Sequence, residues 1–204
     1  MRTLVIDSAT EACSVALFAD GVLLAGDWRK LGRGHAEQLV PMIAALPGKG
    51  RADRIAVALG PGSFTGLRVG LAAARALAFA WGAELVGYPT LALVAAMARR
   101  EGCGVTVAMT GGHGEWFVQD FTADGIAPDL LVSRAPADAA ASAASALVAG
   151  SQAEALVALR GSGEALPLWP DAREFGLLPA YACTTAVHPL YGRTPDARLP
   201  GAAA

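Results

Sequence analysis

The chain has 204 residues, enough for one large domain or two small ones, with 54% hydrophobic and only 17% charged residues. A formal net charge of −2 and scattered Lys and Arg exclude a protein that grips nucleic acid by itself, which needs a basic face. Cys13, Cys103 and Cys183 form no CxxC pair and no metal-type spacing with His35, His113 or His188, so free thiols in a reducing compartment are the simple account.

The opening run reaches Asp7 too early for a secretory signal. The most apolar stretch, 71–83, is interrupted by Arg75 and too short for a bilayer. A cytoplasmic protein without membrane contact is expected. A mean hydropathy of +0.43 with so few charges fits apolar surface covered by another chain, although abundant alanine raises the same figure.

Residues 3–6 read as a buried strand ending at Asp7. Residues 13–19 and 22–28 flank Asp20-Gly21, a two-residue hairpin signal, so the first unit is three antiparallel strands. A helical pattern follows from His35 to Leu46. Leu39, Met42, Ile43 and Leu46 share one face, and Pro41 sits inside, where it kinks the helix or shifts its start. Residues 55–59 read as a strand, 60–66 as a glycine-rich turn, 65–81 as a helix, 85–88 as a strand and 91–100 as a helix. This β-β-β-α-β-α-β-α order predicts an α/β fold of the actin-like, ribonuclease-H-like kind: a hairpin-led sheet completed by parallel crossovers. The pattern restarts more weakly after Gly102, with strands at 105–109 and 115–121, an alanine-rich helix at 137–149, a strand at 155–159 and a proline-rich tail from Trp169. Two lobes are expected, 1–102 and a reduced 103–204.

The helix at 65–81 is the most informative element. Leu67, Leu71, Ala74, Leu77, Ala78 and Trp81 trace a core stripe, and Arg68, Ala72, Arg75 and Phe79 a second one. Val69, Ala73, Ala76 and Ala80 lie between, so hardly any side is made for water. Either a second polypeptide covers it, with small residues admitting close approach and the arginines meeting carboxylates, or it is sandwiched within its own chain.

Catalytic machinery is hard to assemble. The turn Gly60-Pro61-Gly62-Ser63-Phe64-Thr65-Gly66 lacks the GK[ST] ending of a P-loop, and Pro61 and Thr65 stand where the GxSxG elbow needs glycines. A tight strand-to-helix turn capped by Ser63 or Thr65 competes with an anion site there. Asp7-Ser8-Ala9-Thr10 occupies the place of a kinase phosphate loop without its glycine. Asp7 could meet a metal or a nucleotide's water, or simply form a hydrogen-bonded turn. No HxxxH or HExxH pair exists, and no metal site can be built from sequence neighbours.

Residues 7–17 (DSATEACSVAL), 35–43 (HAEQLVPMI) and above all 60–70 (GPGSFTGLRVG) resemble the TsaB family, strongly over the first hundred residues. Farther on, Gly114-Glu115 fits a motif that usually begins Asp-Ala-Arg, but Thr110, Gly111 and Gly112 precede it here. Gly161-Ser162-Gly163 resembles a short glycine motif, and 190–197 the family's closing segment. The resemblance implies a non-catalytic subunit of the actin-like fold with no catalytic or metal residues of its own. It would support TsaD, which transfers a threonylcarbamoyl group to adenosine 37 of tRNA, with the ATPase TsaE as a further partner and tRNA met only indirectly. No cofactor is expected in isolation, with ATP or ADP admitted at the complex interface. The dimerisation surface implied is the helix pair beginning near His35 and Thr65, here His35, Leu39, Met42, Thr65, Arg68, Val69, Ala72, Arg75, Ala76 and Phe79, with a homodimer through the same helices as a rival. Asp7, Thr10 and Ser63 are the nucleotide-proximal candidates. The competing functions are a stand-alone phosphotransferase or ATPase using Asp7, and a protease.

Overall fold

The computed structural model describes residues 1–192. The first sheet opens with strands β1 (Arg2–Asp7), β2 (Ala12–Ala19) and β3 (Val22–Lys30), an antiparallel meander. Asp20 and Gly21 both hold positive φ, 49° and 81°, as the tight turn between β2 and β3 requires. Helix α1 (His35–Ala45) leads to β4 (Arg54–Ala58), helix α2 (Phe64–Trp81) to β5 (Glu84–Tyr88), and helix α3 (Thr90–Ala98) leaves the sheet. Parallel pairing of β4 to β1 and of β5 to β4 gives the order β3-β2-β1-β4-β5. Pro41 is accommodated at the seventh residue of α1, and the helix keeps its start at His35.

The second half repeats this plan in smaller pieces. Strands β6 (Val105–Thr110), β7 (Trp116–Phe121) and β8 (Val132–Arg134) form a second antiparallel meander. Helix α4 (Pro136–Ser142), strand β9 (Leu147–Ala149), helix α5 (Ala153–Arg160) and strand β10 (Glu164–Leu166) follow. The order β8-β7-β6-β9-β10 is the first sheet's order again, with β9 parallel to β6 and β10 parallel to β9. Two sheets of one topology, the second reduced, make this the actin-like, ribonuclease-H-like fold.

Two expected elements are corrected. The alanine-rich helix ends at Ser142, and residues 147–149 are a fully buried strand instead. The expected strand at 155–159 is part of α5, because Ala153, Leu156 and Val157 turn one helical face onto Ala108, Trp116 and Val148. Gly161, at φ 74°, closes that helix in the left-handed conformation.

Each face of the first sheet has its own core. Leu4, Ile6, Val15, Leu17, Ile55 and Val57 meet α1 and α2, whereas Val5, Ala16, Phe18, Ala56 and Val86 meet α3 through Leu93. The other side of α3, with Leu91, Val94, Ala95 and Ala98, packs on Val105, Val107, Met109 and Phe117 of the second sheet. The helix buried all round is therefore α3, held between the sheets. Beyond β10 the chain returns to the first sheet. Phe175 packs on Tyr88 (5.3 Å between ring centroids), Thr184 exchanges backbone hydrogen bonds with Gly87, and the Leu190 amide donates to the Leu59 carbonyl at 2.7 Å. Of the expected second unit, residues 172–190 thus belong structurally to the first sheet. Residues 193–197 of the expected closing motif lie outside the described residues.

Candidate functional site

Two places carry the sequence candidates: the turn after β1, and the outer faces of α1 and α2. Asp7 is almost wholly buried. Its Oδ1 accepts from the Ala9 amide at 3.0 Å, and its Oδ2 from the Tyr88 hydroxyl at 3.2 Å. Burial pushes its carboxyl up to about 7, against the lowering effect of those two hydrogen bonds. Thr10 is buried as well, its Oγ1 accepting from the Ala12 amide.

The N-terminus of α2 is pressed onto this turn. The Ser63 amide donates to the Ala9 carbonyl at 2.6 Å, and Ser8 Oγ donates to the Gly66 carbonyl at 2.9 Å. A Cβ on Gly62 would stand 1.9 Å from the Ala9 oxygen, and one on Gly66 2.2 Å from the Ser8 oxygen. The glycines thus serve contact between two backbone segments of one chain. Ser63 caps α2 by accepting from the Gly66 amide at 3.3 Å, which settles the sequence alternatives for the cap. Asp7 and Thr10 are therefore turn and packing residues whose polar atoms face their own chain. Of the three nucleotide-proximal candidates only Ser63 is exposed.

His35 begins α1 with its Nε2 2.8 Å from the Thr10 carbonyl oxygen. A carbonyl only accepts, so Nε2 carries the proton. This bond fastens α1 to the same turn. His35, Leu39 and Met42 are buried in the chain's own core, so their side chains are not available to a partner. The correction is one of helix phase. The periodic apolar stripe of α1 faces inward, and the surface it offers is Ala36, Glu37, Val40, Pro41, Ala44 and Ala45, with Val40 60% exposed.

The expected face of α2 looks outward except at Val69, which packs against the chain's own core. Gly66, Leu67, Gly70, Leu71, Ala74 and Ala78 are buried, Val69 is half-buried, and Thr65, Arg68, Ala72, Arg75, Ala76, Phe79 and Ala80 are exposed. Phe79 is 93% exposed. Its helical neighbours one turn back are Ala76 and Arg75, so the face is apolar alanine and phenylalanine surface interrupted by the arginines. Arg75 is not wholly free for a partner, because its Nη2 donates to the Val187 carbonyl at 2.8 Å. The guanidinium of Arg68 lies over the Phe64 ring at 3.6 Å. Helices α1 and α2 touch each other on the same face of the sheet, so their outer sides form one surface.

Among the described residues no group of three or more His, Cys, Asp or Glu is placed to hold a metal ion, and no helix is long and apolar enough to cross a membrane. Cys13, Cys103 and Cys183 are free thiols.

The sequence model of the family described as "TsaD: tRNA N6-adenosine threonylcarbamoyltransferase" matches residues 29–164. This chain belongs to that family. Within it the chain falls with TsaB, also called YeaZ. The TsaB of Escherichia coli K12, named a tRNA threonylcarbamoyladenosine biosynthesis protein, is 41% identical over 106 residues, 50% of this chain and 46% of its own length. The chain thus spans less than half the length of this TsaB relative by sequence. A tRNA N6-adenosine threonylcarbamoyltransferase of Corynebacterium diphtheriae is 35% identical over 88 residues, 40% of this chain and 25% of its own length. The solved YeaZ of Pseudomonas aeruginosa superposes with a TM-score of 0.76 at 26% identity, covering 93% of this chain and 99% of that one. The TsaB-like features of the sequence, the turn at 60–66 and the two helices, are the parts that the structure brings together around Asp7.

Proposed function

We propose that this chain is a non-catalytic partner subunit that docks onto the TsaD transferase and supports threonylcarbamoyl transfer to adenosine 37 of tRNA. The observation that carries this is the outer face of α2, where Phe79 stands 93% exposed among exposed Ala72, Ala76 and Ala80, with Arg68 and Arg75 on the same side. Such a face in water favours a cover, and roughly 25 cal/mol is gained per Å² of apolar surface removed. The occupant is argued from kinship. The family model described as the transferase matches residues 29–164, a range that holds α1 and α2, so two paralogous helix pairs can meet across a pseudo-two-fold axis.

An independent ATPase or phosphotransferase using Asp7 is disfavoured by the burial of Asp7 and by α2 occupying the mouth of the turn. TsaE as a further partner, nucleotide at the complex interface, and indirect contact with tRNA belong to the same proposal. The test is depletion of this protein in its own cells followed by mass spectrometry of tRNA nucleosides. Loss of threonylcarbamoyladenosine is expected, restored by the wild-type chain and by Asp7→Asn. An unchanged nucleoside pool would reject the function, and failure of Asp7→Asn alone would favour the enzyme.

A further inference from the structure

The returning C-terminal segment runs beside α2 and adds to its outer face. Val187 is buried in the core under α1 and α2, and its carbonyl receives Arg75. Leu190 is fixed by its amide to Leu59, at the start of the glycine turn. The next residue, Tyr191, places its ring 5.7 Å from that of Phe64, with 33° between the planes. Arg68 covers the Phe64 ring. The result is a stack, Arg68–Phe64–Tyr191, at the N-terminal end of α2. It is not tucked away: Phe64 is 53% and Tyr191 44% exposed, and Arg68 is exposed too.

We propose that the docking face extends past the two helices onto this stack, and that the partner subunit meets Arg68 there with a carboxylate while covering the two aromatic rings. The proposal rests on the reading of the chain as a TsaD-binding subunit. Two features point to an acidic partner surface. Helix α2 carries Arg68 and Arg75 and no acidic residue in its 18 positions. Contact with the ring pre-positions the Arg68 guanidinium, so less side-chain freedom is lost when a carboxylate arrives. Aromatic residues and arginine are also the types that anchor protein interfaces once water is excluded. Charge bears on partner choice as well. In a symmetric homodimer through α2, arginines approach arginines, and Glu37 is the sole acid of α1 available to relieve them.

The test measures binding of the full chain to purified TsaD of the same organism, by calorimetry or sedimentation at two salt concentrations. Arg68→Gln and Tyr191→Ala are each expected to raise Kd by about tenfold or more, as truncation of an anchor does. Tyr191→Phe, which keeps the ring, is expected to stay within about threefold of wild type. Arg68→Gln is also expected to flatten the salt dependence. Unfolding midpoints of the variants report whether the fold is intact, and Arg68→Lys separates loss of charge from loss of the planar group. If Ala72→Trp abolishes binding while Arg68→Gln and Tyr191→Ala bind as wild type, the stack is not part of the interface and this proposal falls alone. If the wild-type chain fails to bind TsaD, the functional reading falls and takes this proposal with it.

Discussion

Replacing Asp7 by Asn should change how stability depends on pH, with a sign fixed by the structure. Asp7 is raised to about 7 in the fold, against about 3.9 for an unperturbed aspartate. Below pH ~4 the carboxyl is neutral in both folded and unfolded chains, and its burial costs nothing in ionisation. Between about 4 and 7 the unfolded chain releases the proton and the folded chain keeps it, so stability falls as pH rises. Above about 7 both are ionised and the loss is constant. Three pH units at ~1.4 kcal/mol each give about 4 kcal/mol. Asn preserves the local bonds. Its Oδ1 accepts from Ala9, and its amide donates to the Tyr88 hydroxyl, which is left to donate to the Ile6 carbonyl at 3.2 Å. Urea unfolding of both proteins from pH ~3 to ~8.5 isolates this effect, since the other carboxylates largely cancel in the difference. The variant should match wild type at the acid end and exceed it by up to about 4 kcal/mol at the alkaline end. Parallel curves, or a variant weaker than wild type at pH ~8, would refute a structural Asp7 whose ionisation is held back by burial.

Other consequences follow from the packing. Gly66→Ala would drive a Cβ against the Ser8 carbonyl oxygen at 2.2 Å, backbone against backbone, so a loss of about 3 kcal/mol or more is expected in thermal unfolding. Trp169→Phe removes the Nε1–H that donates to Glu11 Oε1 at 2.6 Å and weakens the ring under Lys30, which should cost about 1–3 kcal/mol by urea titration. A thiol reagent should modify exposed Cys103 first and half-buried Cys183 more slowly. Cys13, buried and with its thiol pushed up to about 12 by desolvation, should react only on unfolding. Rapid labelling of Cys13 in the native protein would contradict the packing under α1.

The first sheet was readable because its signals are local and strong. Asp20-Gly21 marks the β2–β3 turn, and Ser63, one of two candidates for the cap, caps α2. The second half misled at two points for a physical reason. Its elements are short, so a segment such as 155–159 spans too few residues for a strand period and a helix period to differ. The repeated β-β-β-α-β-α-β order settles them, because β9 and α5 occupy the places of β4 and α2. At the candidate site, Leu71 of α2 faces in and Phe79 faces out, as their spacing indicates, but Val69, expected on the outer face, is turned toward the core. For α1 the apolar stripe of Leu39 and Met42 was assigned to a partner although it faces the core. Period alone does not say which of two apolar faces meets the sheet. Tyr191 was missed because its meeting with Phe64 joins positions 127 residues apart, through a tail whose path depends on Thr184 bridging to Gly87.

The sharpest test of the docking account is sedimentation velocity of this chain mixed with its TsaD, with Ala72→Trp as the comparison. A single 1:1 species should form with the wild type. With the variant, whose indole blocks close approach on the open face of α2, the two proteins should sediment apart. Association untouched by Ala72→Trp would show that this face is not the one that binds.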